Sequence, residues 1–171
     1  MTRTVATMVR AIIDRTNLSR TKVEQTAREV QNAGLLQLGR GAIAKPIDLA
    51  NILLALAADK VRQAPATVNQ YSGLTRLVEA EHDKAGDAIE AWVTSIWAGD
   101  RDEAERTLRI VQTWPEVILH DRDGHGEHFY ADGTIFEQHA LLAVRRSIEI
   151  PGRVVAQIGA DLGIRGAAYA A

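Results

Sequence analysis

Between residues 46 and 63 the chain carries Ile47, Leu49, Ile52, Leu53, Leu54 and Leu56 with alanines between them. Wound as a helix, this segment is apolar on nearly every side, so it demands cover all round. Pro46 suits its first turn, where the missing N–H costs nothing, and Asp48 suits the positive end of its dipole. Any fold must bury this segment, either under an N-terminal head or between subunits. A small N-terminal head cannot cover it alone, which predicts a homo-oligomer, with a dimer as first choice. The apolar run 49–58 is too short to cross a bilayer and is bracketed by Asp48 and Asp59, so no membrane association is expected.

Upstream, residues 18–36 read LSRTKVEQTAREVQNAGLL. Ser19 is a natural N-cap, and Leu18 with Val23 can close a hydrophobic staple. Val23, Ala27 and Val30 mark one buried stripe, and Gly34 fits the left-handed position that ends a helix. The opposite face carries Arg20, Thr21, Lys22, Gln25, Arg28 and Asn32. Arg, Lys, Gln and Asn are the side chains able to pair with base edges and phosphates in a major groove. Before it, Val5, Met8, Val9, Ile12 and Ile13 outline a helix over residues 4–14, and 15–18 make a tight connection. Helix, short turn, helix is the arrangement in which the second element reads DNA while the first braces it. The turn lacks glycine. The bland alternative is a solvated surface helix, since Arg20, Glu24 and Arg28 at i, i+4, i+8 can form ion pairs.

Charge is distributed unevenly. Residues 1–45 hold eight Lys or Arg against three acids, a balance of +5, and the remainder carries −7. A basic head on an acidic body directs a polyanion to the head. After Gly34, Leu35, Leu36 and Leu38 lead into Gly39-Arg40-Gly41, which suits a tight hairpin tip near a phosphate backbone. With the motif Ala33-Gly34-Leu35-Leu36 running into this loop, residues 4–45 resemble the winged helix-turn-helix family of bacterial and phage regulators. The resemblance implies that residues 19–32 read the groove and that Arg40 is the wing contact. The short loop leaves a plain loop as the alternative to a two-stranded wing.

The division expected is a DNA-binding head over 1–63 and an α+β body over 67–165, with the break at Ala64-Pro65-Ala66. Val68, Tyr71, Leu74, Leu77 and Val78 outline a body helix, and Ala85, Ile89, Trp92, Val93 and Ile96 another, stopped by Gly99. Asp100 with Glu103 resembles a capping box opening a helix through Ala104, Leu108 and Val111 to Trp114. Strands are predicted over 116–120, 127–131 and 140–150, making a small antiparallel sheet. A last helix over 151–162 ends at Gly163, leaving a frayed tail. The fold class is thus mainly α, or α+β, with a winged-helix-like head.

Other constellations read as structural. His120, Asp121, Asp123, His125 and His128 match no metal-ligand spacing and are explained by a polar hairpin tip, so no metal is expected. Glu79, Glu81, His82 and Asp83 suit a solvated helix face, His139 a structural role, and Trp92, Trp97 and Trp114 the body's core. No motif of nucleophilic or phosphate-cradling chemistry occurs, so neither an enzyme nor a cofactor site is expected. The absence of cysteine suits a reducing cytosol and a cytoplasmic location. The function expected is sequence-preferring binding of double-stranded DNA, as a bacterial or phage transcriptional regulator. Arg20, Thr21, Gln25 and Arg28 are assigned to bases, and Lys22, Asn32 and Arg40 to phosphates. Two alternatives stay open: the small DNA-recognition subunit of a phage packaging terminase, which resembles this chain in joining such a head to an oligomerising helical segment, and a protein–protein interaction module gripping an acidic partner.

Overall fold

The computed structural model describes residues 3–37, 41–76, 84–131 and 146–171. Helix α1, Val5–Arg15, is capped by Thr4, whose hydroxyl accepts the Thr7 N–H at 3.2 Å. Helix α2, Arg20–Asn32, follows after four residues and buries Val23, Thr26, Ala27 and Val30. Ser19 stands at its N-cap, but its hydroxyl makes no capping bond, which corrects the expected role. The far end is as expected. Gly34 adopts φ +76°, and the N–H groups of Gly34 and Leu35 bond Gln31 and Val30 carbonyls, closing a Schellman turn.

Helix α3, Pro46–Ala55, is the buried apolar helix. Its start is tied to the chain leaving α2 through Asp48. This carboxylate, only 1% exposed, accepts the N–H groups of Lys45 at 2.8 Å and Gln37 at 2.9 Å. Asn51 adds a bond from Nδ2 to the Leu35 carbonyl at 2.8 Å. The helix stops at Ala55 instead of running to 63, because Leu56, Ala57 and Ala58 form a buried turn. Gln112 donates to the Ala57 carbonyl at 3.1 Å, so a tertiary contact satisfies a group that another helical turn would have used. A 3-10 turn, Val61–Gln63, leads into α4, Ala64–Ser72, with Pro65 in its first turn. Helices α2 and α4 cover α3, together with α5, Ala85–Ala98. Its own chain thus covers this helix, which removes the reason given for a homo-oligomer.

Helix α4 ends at Ser72, and Thr75–Arg76 forms strand β1 where a continuing helix was predicted. Leu77, Val78 and the acidic cluster Glu79, Glu81, His82 and Asp83 lie outside the described residues, as does His139. Helix α5 ends at Gly99, as predicted, with φ +106°. Asp100 caps α6 by accepting the N–H groups of Asp102 and Glu103, yet α6 spans only Arg101–Glu105. Leu108 and Val111, expected on that helix, belong instead to β2, Thr107–Val111. Their spacing fits a helical stripe, but Leu108 and Ile110 also alternate with Thr107 and Arg109. Ladder partners on both sides decide in favour of the strand.

The remaining strands are β3, Glu116–His120; β4, Gly126–Tyr130; and β5, Ser147–Pro151. Of the strand predicted over 140–150, residues 140–145 lie outside the described residues. The antiparallel sheet has the order β1-β4-β3-β2-β5. Cross-strand register puts Leu108, Ile110, Val117, Leu119, Phe129, Ile148 and Ile150 on one face, against the helices. Tyr71 of α4 donates its hydroxyl to the Val111 carbonyl at 2.7 Å; burial, reinforced by Asp59, pushes its phenol up to about 12.

Helix α7, Gly152–Asp161, returns across α1 and α5. The tail, expected to fray, is a docked short helix, α8, Ala167–Ala170, on α7 and α5. Gly166 explains the fit: a Cβ there would lie 2.3 Å from the Trp97 carbonyl oxygen, so only glycine allows this approach. Trp92 and Trp97 are buried and donate to the carbonyls of Glu103 and Val155. One continuous core runs from Val5 to Ala170, across the 64–66 segment expected to separate head from body. Among the described residues no helix is long and apolar enough to cross a membrane.

Candidate nucleic-acid interface

Successive side chains of a helix are rotated by about 100°, which fixes the order of the α2 residues around its axis. Ala27 and Gln31 lie toward α1, where they line a groove with Val5, Ala6 and Val9. Arg20 stands on the same rim, its guanidinium 3.7 Å from the Glu24 carboxylate. Moving outward come Arg28, Thr21, Asn32 and Gln25, all exposed. The far rim carries Glu29 and Lys22, both half-buried. Six of the seven residues singled out in the sequence are thereby placed on one helix surface. Five of them are open to solvent, and Lys22 sits at the edge.

Arg40 and its neighbours 38 and 39 lie outside the described residues. The chain re-enters at Gly41, with φ +85°, and then pairs with the N-terminus. Ala44 donates to the Arg3 carbonyl at 3.0 Å, Val5 donates to Ala42 at 3.4 Å, and Thr4 bridges Ile43. Residues 35–37 are held separately by α3 through Asp48 and Asn51. Among the described residues the two arms of the glycine–arginine loop therefore do not pair with each other. Gly41 and Ala42 close the groove between α1 and α2, about 390 Å³ in volume, whose α2 wall is Glu24, Ala27, Arg28 and Gln31. Ile43 projects beside it, 64% exposed; nothing in its sequence context had singled it out.

Tertiary contacts redistribute the N-terminal charge. Arg3 lies with its guanidinium 5.4 Å from the centre of the Trp97 ring and donates to the Ala44 carbonyl at 3.1 Å. Arg10 is 4.0 Å from Asp14. Arg15 makes two parallel bonds, both 2.8 Å, to Asp161 of α7. That hydrogen bonding, with the charge of Arg15, holds the Asp161 carboxyl below its ordinary value and raises the guanidinium. Arg3 and Arg15 thus brace the fold, whereas Arg10 stays exposed beside an acid of its own helix, so part of the positive balance counted along the sequence is taken up by tertiary contacts.

Of the residues weighed for metal binding, Asp121 and His128 have other side-chain partners. One Asp121 carboxylate oxygen accepts the N–H groups of Asp123 and His125, both at 2.9 Å, shaping the β3–β4 turn. His128 Nδ1 lies 3.0 Å from the Tyr130 hydroxyl and 3.5 Å from a carboxylate oxygen of the buried Glu116. Elsewhere Arg106 bridges Glu103 and Glu127, and Glu127 also pairs with Arg76, locking α6 to strands β4 and β1. Comparison with protein-family models, with curated proteins and with solved structures found no match to this chain.

Proposed function

We propose that this protein binds double-stranded DNA through the exposed face of α2 and acts as a bacterial or phage transcriptional regulator. One observation carries the proposal: Arg28, Thr21, Gln25 and Asn32 share an open surface while the opposite side of α2 is locked into the core. A helix is about 10–12 Å across with its side chains, which suits the roughly 12 Å width of the major groove. Thr21, Gln25 and Arg28, with Arg20, are assigned to base edges. Lys22, Asn32 and Arg40 serve the phosphates. No catalytic step is assigned to the chain.

The test is titration of a labelled mixed-sequence duplex over a range of salt. Counterion release makes log affinity fall linearly with log salt, and four or more phosphate contacts give a slope of about −4 or steeper. Failure to retain DNA even at ~50 mM salt overturns the proposal. It would favour the competing use of the same face, gripping an acidic protein partner in the groove between α1 and α2, whose wall includes Val5, Ala6, Val9 and Arg28.

A further inference from the structure

The positive charge beside α2 in space is not the charge beside it in the sequence. The 3-10 turn Val61–Gln63 and helix α4 both pack alongside α2. Because α1 takes the rim bearing Ala27 and Gln31, these elements take the opposite one, where Lys22 and Glu29 are half-buried. The turn is held by a bond from the Gln63 N–H to the Lys60 carbonyl at 2.9 Å and by half-buried Val61. Lys60 and Arg62 are both exposed there, and neither is in an ion pair among the described residues. Asp59, the adjacent acid, is taken up by Arg146 at 3.3 Å. Glu29 is the acid of α2 that faces this rim, and Lys22 stands beside it.

A duplex seated on a groove-reading helix presents one phosphate strand along each side of that helix. Of the α2 residues assigned to phosphates, Lys22 alone stands on the rim beside these elements. We infer that Lys60 and Arg62 form a second phosphate-binding edge, gripping the DNA strand on the far side of α2. The inference rests on α2 binding DNA, and it assigns to that interface two residues from a segment counted in the sequence as the end of a buried helix. Compact ammonium and guanidinium groups serve phosphates in any sequence, so this edge positions the duplex without reading it.

Fluorescence anisotropy with a labelled mixed-sequence duplex, from about 50 to 200 mM salt, tests this edge directly. Three proteins are compared: the unsubstituted chain, Lys60→Gln with Arg62→Gln, and a charge-matched control, Lys84→Gln with Arg165→Gln, at exposed sites off this surface. Thermal melts establish that all three are folded. Losing two phosphate contacts should flatten the slope of log affinity against log salt by about 2 for the first pair alone. A Lys60/Arg62 pair that follows the unsubstituted line overturns the edge and leaves DNA binding by α2 intact. Equal flattening in the control pair also overturns it, since the effect would then be net charge. No binding by the unsubstituted chain overturns both.

Discussion

Helices α2 and α3 are packed neighbours, yet α2 buries four of its thirteen residues and α3 buries seven of ten. In α2 the buried residues form one stripe, its rims are half-buried, and the opposite face meets solvent. In α3 even Asp48 is enclosed, held by two backbone N–H groups. The contrast separates two kinds of constraint on sequence. Residues of α3 answer to packing, where a missing methyl group leaves a void. Outward residues of α2 touch little of their own chain, so their chemistry is free to serve a partner.

The largest effect that could break this comparison is Leu53→Ala in α3. Leu53 is fully buried, so unfolding in denaturant should show a loss of about 2–5 kcal/mol. A loss close to zero would mean that α3 is not the centre of the core. Asp48→Ala should follow, at about 2–3 kcal/mol, because two buried N–H groups lose a charged acceptor. The same substitution should loosen residues 35–37, read as faster amide exchange at Gln37.

Arg28→Ala probes the other side of the contrast. Stability should stay within about 0.5 kcal/mol. Affinity for a preferred duplex should fall by about 1–3 kcal/mol, with relaxed discrimination between sequences. Uniform weakening on every sequence would reduce Arg28 to a phosphate contact. Equal damage to folding would place it with α3 instead.

The smallest effect concerns how α1 is braced. Asp161 is held below its ordinary value, so its contribution is fully present above the unfolded carboxylate value of about 4. It is lost as pH falls through the lower folded value. Arg15→Ala should therefore flatten the acid limb of the stability–pH curve by lowering stability slightly at neutral pH, where the contribution is fully present, and leaving it unchanged in strong acid; an unchanged acid limb would sink this assignment.

Much of the helical framework was legible because its signals are local. The period of Val5, Met8 and Ile12, the stripe of Val23, Ala27 and Val30, and Gly34 and Gly99 as stops each need only one turn of neighbouring chain. The outward set on α2 was legible for the same reason, since the residues left over from a stripe define the opposite face. Strand β3 was marked by its apolar run between Pro115 and the Asp121–Gly126 turn.

What the sequence determined by itself, then, was which segments coil, where several of them end, and which side chains α2 turns outward. Only the tertiary structure decided what lies beside them. Thr107–Val111 became a strand because residues 116–120 and 147–151 supply ladder partners on both sides. The turn after Ala55 depends on Gln112, the docked tail on the backbone of Trp97, and the cover of α3 on α4 and α5. The charge around α2 was settled in the same way, Arg3 and Arg15 being drawn into the fold while Lys60 and Arg62 were brought alongside. Periodicity reports one chain's own repeat, whereas a ladder, a cap or a neighbouring charge depends on residues far apart in sequence. Their proximity exists only once the core has closed.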